Sequence, residues 1–228
     1  MRAVSRSVAA VVVVAIVVLG GATVYFWNST PKPVVGGTSV NLSPEVPLVQ
    51  RGQSVSYPAI DVKTTLTGVF TISTSSGTGI SLAPNETSFR SQMVNVQMEI
   101  PAVLTAGSSV APGAYPVNIL VKSGGTLIDN VTLHVQVVSA LVVMKGAAFI
   151  PEDISVPKGT TVWWVNLDSN IGCCDPGYHT VTFIMNGNTT SPILKRLDTW
   201  SYTFGSMGVV DYHCTIHPYM TGEVDVTA

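Results

Sequence analysis

The sequence predicts an all-β chain in which one N-terminal transmembrane helix precedes two small β-sandwiches. Three observations support this fold class. The 228 residues are 46% hydrophobic and only 11% charged, with 20 Gly and 14 Pro, a composition that suits short strands joined by turns. Short segments of alternating apolar and polar residues recur through residues 41–228. One long uncharged run, residues 8–27, stands outside that pattern.

These patterns divide the chain into four parts. We predict a signal-anchor helix over 1–27, a Pro/Gly-rich linker over 28–40, a first β-sandwich over 41–139 and a second β-sandwich over 140–228. A chain of this length has room for an anchor and two small domains, each with its own core.

Residues 8–27 have the length and composition of a membrane span. At ~1.5 Å per residue, a helix of this length crosses a hydrocarbon core of ~30 Å. The aromatic residues 25–27 suit the far interface, and Arg2 and Arg6 keep the N-terminus in the cytoplasm. We therefore expect a single-pass protein of the cell membrane, with its C-terminal domains on the extracytoplasmic side.

The alternative for this segment is a cleaved signal peptide, because residues 20–22 are small. The uncharged run is longer than the ~7–15-residue apolar core of such peptides, and no clear Ala-x-Ala site follows it. An uncleaved anchor is therefore the favoured interpretation.

The segment 41–139 has strand patterns but no cluster of chemically active residues. Residues 114–122 and 127–137 alternate in polarity around a Gly-Gly pair, which predicts a β-hairpin. Through this hairpin and residues 110–117, the segment resembles the Ig-like spacer domains of microbial surface proteins. Its single histidine, His134, alternates with apolar residues and is expected at the surface. A structural spacer is the predicted role.

Charge and cysteine content narrow the function classes. The formal net charge is −2, from 11 basic and 13 acidic side chains without a basic run, so nucleic acid is not a predicted partner. Three cysteines, Cys173, Cys174 and Cys214, are too few for a disulfide framework, and the odd count leaves one thiol over. Metal ligation is one role for such a thiol in an oxidising compartment.

Four residues near the C-terminus form a candidate metal site. Cys214, His217 and Met220 recur at three-residue steps after an aromatic-rich strand, and His179 opens a strand upstream. Each alone is common, since a lone Cys or Met is usually core. Together, one thiolate, two imidazoles and one thioether are the mixed ligand set of a mononuclear blue-copper site. We therefore predict that these four residues bind one copper ion that cycles between Cu(I) and Cu(II).

Two motifs give residues 141–228 a resemblance to a known family. They are Asp-Tyr-His-Cys-Thr-Ile-His-Pro-Tyr-Met-Thr-Gly-Glu-Val at 211–224 and Val-Pro-Lys-Gly-Thr-Thr-Val-Trp-Trp-Val-Asn at 156–166. With His179 they resemble the plastocyanin, amicyanin and halocyanin type of blue copper protein, the cupredoxins. The resemblance implies a Greek-key sandwich of eight strands, one copper ion, and one-electron transfer between redox partner proteins.

The same resemblance assigns roles around the predicted ligands. It implies that the backbone N–H of Thr180, where the family more commonly has Asn, bonds the sulfur of Cys214. It also places the downstream histidine, His217, at the exposed, apolar end of the molecule. His217 would then be the route by which the electron leaves.

Two neighbouring features have alternative interpretations. His213 lies beside Cys214, and multicopper oxidases also have a histidine beside the cysteine ligand. Those enzymes need further His-x-His pairs, which the four histidines of this chain cannot supply. A surface residue is therefore expected. Cys173 and Cys174 can form a vicinal disulfide, remain thiols or bind a second metal. The first two states are favoured, because a dinuclear copper centre needs two cysteines four residues apart.

The functional prediction is a membrane-anchored type 1 copper protein that carries single electrons and is not an enzyme. Copper capture or delivery is the alternative, and it favours a Met- or His-rich entry region, which the sequence lacks. An oxidase or nitrite reductase needs ligands for a second copper. A structural protein that has lost its metal would not need all four ligands.

Overall fold

The computed structural model describes an all-β protein. It covers residues 37–42, 47–77, 79–92, 96–172, 174–184 and 189–228, with the backbone alone for 15–19, 22–26, 41–42 and 58–59. Every regular element in these residues is a strand, so the predicted all-β class is confirmed. The chain divides into two compact units, residues 1–34 and residues 35–228, which are described separately.

In the first unit the structure describes two short strands, β1 (Ala15–Leu19) and β2 (Ala22–Phe26), which pair antiparallel. This differs from the helix expected over 8–27, because β-branched Val and Ile favour extended backbone wherever no hydrocarbon core imposes a helix. The other residues of 1–27, and most of the linker 28–40, lie outside the described residues. Among the described residues no helix has the length and apolarity to cross a membrane. The transmembrane anchor stays a prediction.

The second unit begins with two sheets that enclose one hydrophobic core. Their strands are β3 (Thr38–Leu42), β4 (Leu48–Gln50), β5 (Ser54–Thr64), β6 (Gly68–Ser76), β7 (Ile80–Pro84), β8 (Ser88–Ser91), β9 (Val96–Ala106), β10 (Gly113–Ser123) and β11 (Thr126–Val138). One sheet has the order β4-β11-β10-β6-β8 and the other has the order β3-β5-β9-β7. The Ig-like character of this sandwich stays a prediction.

The predicted hairpin is confirmed as β10 and β11, with Ser123 opposite Thr126. The turn between them consists of Gly124 and Gly125, which have φ angles of +55° and +82°. Two successive positive φ angles are the requirement of a type I′ turn, and glycine meets it without a steric penalty. The register shifts once, between Val121 and Lys122, and the pairing beyond that point directs the apolar residues of β11 into the core.

The C-terminal part of the second unit has two further sheets. Their strands are β12 (Ala140–Met144), β13 (Phe149–Ile150), β14 (Asp153–Pro157), β15 (Thr161–Asn166), β16 (Thr182–Phe183), β17 (Thr199–Thr203), β18 (Gly208–His213) and β19 (Thr221–Thr227). The sheet orders are β13-β12-β15-β17 and β14-β19-β18-β16. Over the described residues of 140–228, these eight strands in two sheets agree with the sandwich that the resemblance implies.

Aromatic side chains fill the space between these two sheets. Trp164 of β15 is fully buried, and its ring centroid lies 5.9 Å from that of Phe183 and 5.6 Å from that of Tyr212. All three rings make edge-to-face contacts, the arrangement that aromatic pairs favour. β18, which carries Tyr212, leads directly to Cys214.

The two sandwiches pack directly on each other. Only Ser139 separates β11 from β12. Leu141 and Val165, from the second sandwich, are buried in the same hydrophobic cluster as the core of the first. Across this junction Arg196 Nη2 lies 2.8 Å from Glu99 Oε1. The predicted boundary at 139/140 falls at a change of sheet, and the independence of the two parts as domains stays a prediction.

Gly222 of β19 packs against the aromatic core, and this contact gives a test of the fold. A Cβ at this position would lie 2.5 Å from Tyr212 Cζ and 2.7 Å from the Glu152 carbonyl oxygen. We expect Gly222→Ala to lower the free energy of unfolding by about 1–3 kcal/mol, because overpacking forces neighbouring atoms to move. Urea denaturation followed by tryptophan fluorescence measures this change.

The matched control is Gly205→Ala, because a Cβ there would meet no atom within 4 Å. We expect this control to change the free energy of unfolding by no more than about 0.5 kcal/mol. Equal losses in the two variants would contradict the packing of β19 on Tyr212.

Candidate metal centre

Three predicted ligands converge at one end of the C-terminal sandwich. His179 Nδ1 lies 3.1 Å from His217 Nδ1, and each of these nitrogens lies 3.8 Å from Cys214 Sγ. His179 and Cys214 are fully buried and His217 is 6% exposed. Among the described residues, these three form the group of side chains that could hold a metal ion. The fold thus brings His179 to two residues that lie 35 and 38 positions further along the chain.

The strand ends hold the ligand loop in place. Cys214 follows β18, and its backbone N–H donates to the Met220 carbonyl, 3.0 Å away, just before β19 begins. Within the loop, the Met220 N–H donates to the His217 carbonyl over 2.9 Å. His179 is fixed from another direction, because it exchanges two backbone hydrogen bonds with Leu194. Each donor is therefore positioned by backbone pairing and not by side-chain packing alone.

The three donor atoms leave space for one ion. The point equidistant from atoms separated by 3.1, 3.8 and 3.8 Å lies about 2.1 Å from each, which falls within the ~2.0–2.3 Å range of metal–imidazole and metal–thiolate bonds. Two imidazole nitrogens and a thiolate in one plane are the trigonal donor set of a type 1 copper site. The residues therefore fit a single copper ion.

The electrostatics of the site favour the thiolate form of Cys214. Burial raises the pKa of Cys214, but hydrogen bonds with His179, with the backbone N–H of Thr180 and with loop N–H groups outweigh it and lower the pKa to about 6. For His179 burial lowers the pKa, because it disfavours the charged imidazolium. The hydrogen bonds of His179 to Cys214 and Asp168 outweigh this effect, so its pKa is raised. A thiolate is the form of cysteine that binds metals, so Cys214 is poised for ligation at neutral pH.

Thr180 ties the first histidine to the ligand loop. Its backbone N–H donates to Cys214 Sγ over 3.3 Å, which confirms the donor that the resemblance implies. Its hydroxyl accepts a hydrogen bond of 2.8 Å from the Thr215 N–H and lies 2.9 Å from the Thr215 hydroxyl. Threonine thus supplies both a backbone bond to the sulfur and a side-chain bond to the loop.

Two carboxylates that the sequence analysis did not single out bind the outer nitrogens of the histidines. Asp168 Oδ2 lies 2.8 Å from His179 Nε2, and Asp175 Oδ2 lies 2.6 Å from His217 Nε2. Hydrogen bonds from the Gly177 N–H and from His217 lower the pKa of Asp175, which favours its ionised form. Both acids belong to the loop that precedes His179. Their position in that loop is the one feature of the sequence that could have suggested a role beside the histidines. Carboxylate partners of this kind fix the tautomer and orientation of a metal-binding imidazole.

The imidazole of His217 is buried and not exposed as expected, although neighbouring side chains of its loop are exposed. The resemblance places this histidine at the exposed end of the molecule, but here it is only 6% exposed. The physical reason is the Asp175 carboxylate, which covers the outer edge of the ring. The neighbouring Tyr219 is 72% exposed instead, with its ring centroid 5.8 Å from that of His217.

Three further expectations concern residues around the ligands. Met220 is 2% exposed in the same cluster as Cys214, and its role as the fourth ligand stays a prediction. His213 is half-buried on β18 opposite Thr182 and does not belong to the metal-capable group among the described residues. Cys173 lies outside the described residues and Cys174 is exposed, so the state of this pair stays a prediction.

Comparison with known proteins finds a relative for the C-terminal part. This chain is similar to amicyanin. The amicyanin of Paracoccus denitrificans is 33% identical over 75 residues, which are 32% of this chain and 54% of that protein. The chain therefore spans about half the length of the curated relative that it matches. No family model matches the chain.

Solved amicyanin structures are also similar to the chain. An amicyanin mutant in the Cu(I) form is 28% identical, and an oxidized amicyanin mutant is 29% identical. Each comparison covers 39% of this chain and 81% of the amicyanin chain, with a TM-score of 0.35. The resemblance to blue copper proteins drawn from the two motifs is confirmed by the curated amicyanin relative.

Removing the Thr180 hydroxyl tests its contribution to the site. In Thr180→Val the Thr215 N–H loses its acceptor while the side-chain shape and the backbone N–H to Cys214 remain. We expect the free energy of unfolding of the metal-free protein to fall by about 1–2 kcal/mol, the cost of leaving such a donor unpaired.

Thr180→Ser is the matched control, because it retains the hydroxyl and loses only a methyl group. We expect it to be clearly more stable than Thr180→Val in chemical denaturation. If the serine variant lost as much stability as the valine variant, the hydroxyl would not hold the ligand loop.

Proposed function

We propose that this chain is a membrane-anchored, extracytoplasmic type 1 copper protein that carries single electrons between redox partner proteins. The observation that carries the proposal is the convergence of His179 Nδ1, His217 Nδ1 and Cys214 Sγ around one point, with all three residues buried. Met220 is the fourth ligand in this proposal, supplying a thioether from the loop that already bonds Cys214. The similarity of the C-terminal part to amicyanin supports it.

Bound copper would supply one reversible electron through its Cu(I) and Cu(II) states. The chain's contribution is to hold the donors still while that charge changes. Cys214 and His217 lie in a short loop closed by backbone hydrogen bonds, and the Thr180 N–H bonds the sulfur on one side. Asp168 holds the imidazole of His179 through its outer nitrogen. Rigid donors need little rearrangement when an electron arrives, so transfer is fast.

Electron carriage requires a route between the ligands and the surface. His217 is covered, but the ring of Tyr219 lies against it and is 72% exposed. Ile216, in the same loop, is 43% exposed. These two side chains extend the loop to the solvent, and we propose that redox partner proteins contact the molecule there.

The membrane location rests on the N-terminal residues. The uncharged run 8–27 with arginines before it supports an anchor whose C-terminal sandwiches lie outside the cytoplasm. An extracytoplasmic compartment would also supply redox partners at the membrane surface. Electron carriage needs no catalytic residue beyond the copper ligands, so we propose a carrier and not an enzyme.

Copper loading tests the redox proposal. We expect one equivalent of Cu(II) per chain to turn the metal-free protein blue, because the Cys214 thiolate transfers charge to copper in visible light. Reduction should bleach the colour and reoxidation should restore it. Cys214→Ser should remain colourless with Cu(II), as measured by absorption spectroscopy.

Cys174→Ser is the matched control, because it removes an exposed cysteine outside the ligand set and should stay blue. A colourless Cu(II) complex of the unmodified protein would reject the electron-carrier proposal. If that complex also passed its copper rapidly to an added chelator, copper delivery would replace it.

Deleting residues 1–27 tests the anchor. We expect the full-length chain to sediment with membranes and to resist extraction by alkaline carbonate, because a ~20-residue apolar helix inserts stably. The shortened chain should appear in the soluble fraction. Protease added outside intact cells should digest the C-terminal sandwiches of the full-length chain, and protection from that protease would contradict the proposed orientation.

A further inference from the structure

We propose that Asp175 is a positioning residue that locks the ring of His217 in its metal-facing orientation. The inference rests on the proposed function for its redox consequence, but its geometric part concerns this chain alone. The contact joins His217 Nε2 to Asp175 Oδ2 over 2.6 Å. The two side chains are 7% and 32% exposed, so water has little access to the imidazole side of the contact.

The placement of the two ring nitrogens shows why this contact decides orientation. His217 Nδ1 faces the site, 3.1 Å from His179 Nδ1 and 3.8 Å from Cys214 Sγ. A metal-binding Nδ1 carries no proton, so the proton must be on Nε2. Nε2–H then donates to the ionised Asp175. Rotation of the ring by half a turn would break this hydrogen bond and remove Nδ1 from the site.

Asp175 is itself held by a contact within its own loop. Its second oxygen, Oδ1, accepts a hydrogen bond of 2.8 Å from the Gly177 N–H, which leaves Oδ2 for the histidine. Gly177 has a φ of +71°, and its carbonyl accepts a 2.8 Å bond from the side-chain amide of the fully buried Asn166. A chain of hydrogen bonds therefore connects β15 of the core to the outer edge of the His217 ring.

A Cβ at Gly177 would lie 3.1 Å from the Cβ of Asp168, so the loop is closed tightly at this point. Asp168 contacts the other histidine, His179, and also accepts hydrogen bonds from the backbone N–H groups of Gly146 and Ala147. One loop thus brings a carboxylate to each of the two imidazoles. The two carboxylates contact different histidines, so the Nε2–H proton of His179 can serve as an internal reference for that of His217.

The contact has two consequences for a bound metal. A carboxylate on Nε2 increases the electron density that Nδ1 donates, and it holds the ring against rotation, so metal release slows. The nearby negative charge also favours the more positively charged oxidation state of the metal. Loss of Asp175 should therefore weaken metal binding and make the reduction potential of a copper-loaded protein more positive.

The decisive experiment uses full-length protein loaded with Zn(II), a diamagnetic probe that binds the same donor types. In proton–nitrogen correlation spectra of the histidine side chains, the Nε2–H protons of His179 and His217 should both exchange slowly with water. In Asp175→Ala the His217 proton should exchange at least about tenfold faster, and the Zn(II) affinity should fall about 10–100-fold. The His179 proton should stay protected in that variant.

Two further variants separate positioning from general effects. Asp175→Asn retains the size of the side chain and removes its charge, so it should show an intermediate exchange rate even if Asp175→Ala is poorly folded. Asp211→Asn removes the same charge from an exposed position on β18 and should leave both histidine protons protected. With copper bound, the potential should rise in Asp175→Asn relative to Asp211→Asn.

An unprotected His217 proton in the Zn(II)-loaded parent, or equal exchange in the Asp175 and Asp211 variants, would overturn the inference. A protected proton that disappears only in the Asp175 variants would support it. If that NMR result held while the Cu(II) protein proved colourless, the proposed function would fail and the positioning role of Asp175 would stand.

Discussion

Two imidazole nitrogens and one thiolate sulfur lie within 3.8 Å of one another in a buried site, and the C-terminal sandwich is arranged around this constraint. Buried polar groups are costly unless each has a partner. The structure meets this requirement on the outer side of every donor. Cys214 receives the Thr180 N–H, His179 faces Asp168, and His217 faces Asp175. The inner sides remain directed at the point where an ion fits.

The proposed role of electron carrier also requires a rigid site, and the fold restrains the candidate ligands from two directions. The ligand loop closes between adjacent antiparallel strands, β18 and β19, through the bond from the Cys214 N–H to the Met220 carbonyl. Beneath it, Trp164 and Tyr212 form part of an aromatic core that joins both sheets. Displacing the loop would open that core. The candidate ligands are therefore held in one geometry, as the proposed copper site would require in both of its charge states.

The loop before His179 determines which side chains around the site are exposed to solvent. By covering the His217 ring with Asp175, it moves solvent exposure from the ligand itself to Tyr219. A partner protein would then approach an exposed tyrosine and isoleucine, and the ligand imidazole would stay dry. This sandwich also shares a hydrophobic cluster with the first sandwich through Leu141 and Val165. The candidate metal site and both sandwiches thus belong to one compact unit of residues 35–228.

Sequence patterns were sufficient to predict the local features of this protein. The three-residue steps of Cys214, His217 and Met220 fit one short loop, and a Gly-Gly pair between alternating segments specified the β10–β11 hairpin, because both patterns act over a few residues. Which carboxylate faces which imidazole became visible only in the folded chain. Asp175 and His217 are 42 positions apart, and hydrogen-bond geometry over such a separation depends on how whole loops pack, which residue spacing does not record. The burial of His217 follows from the same packing.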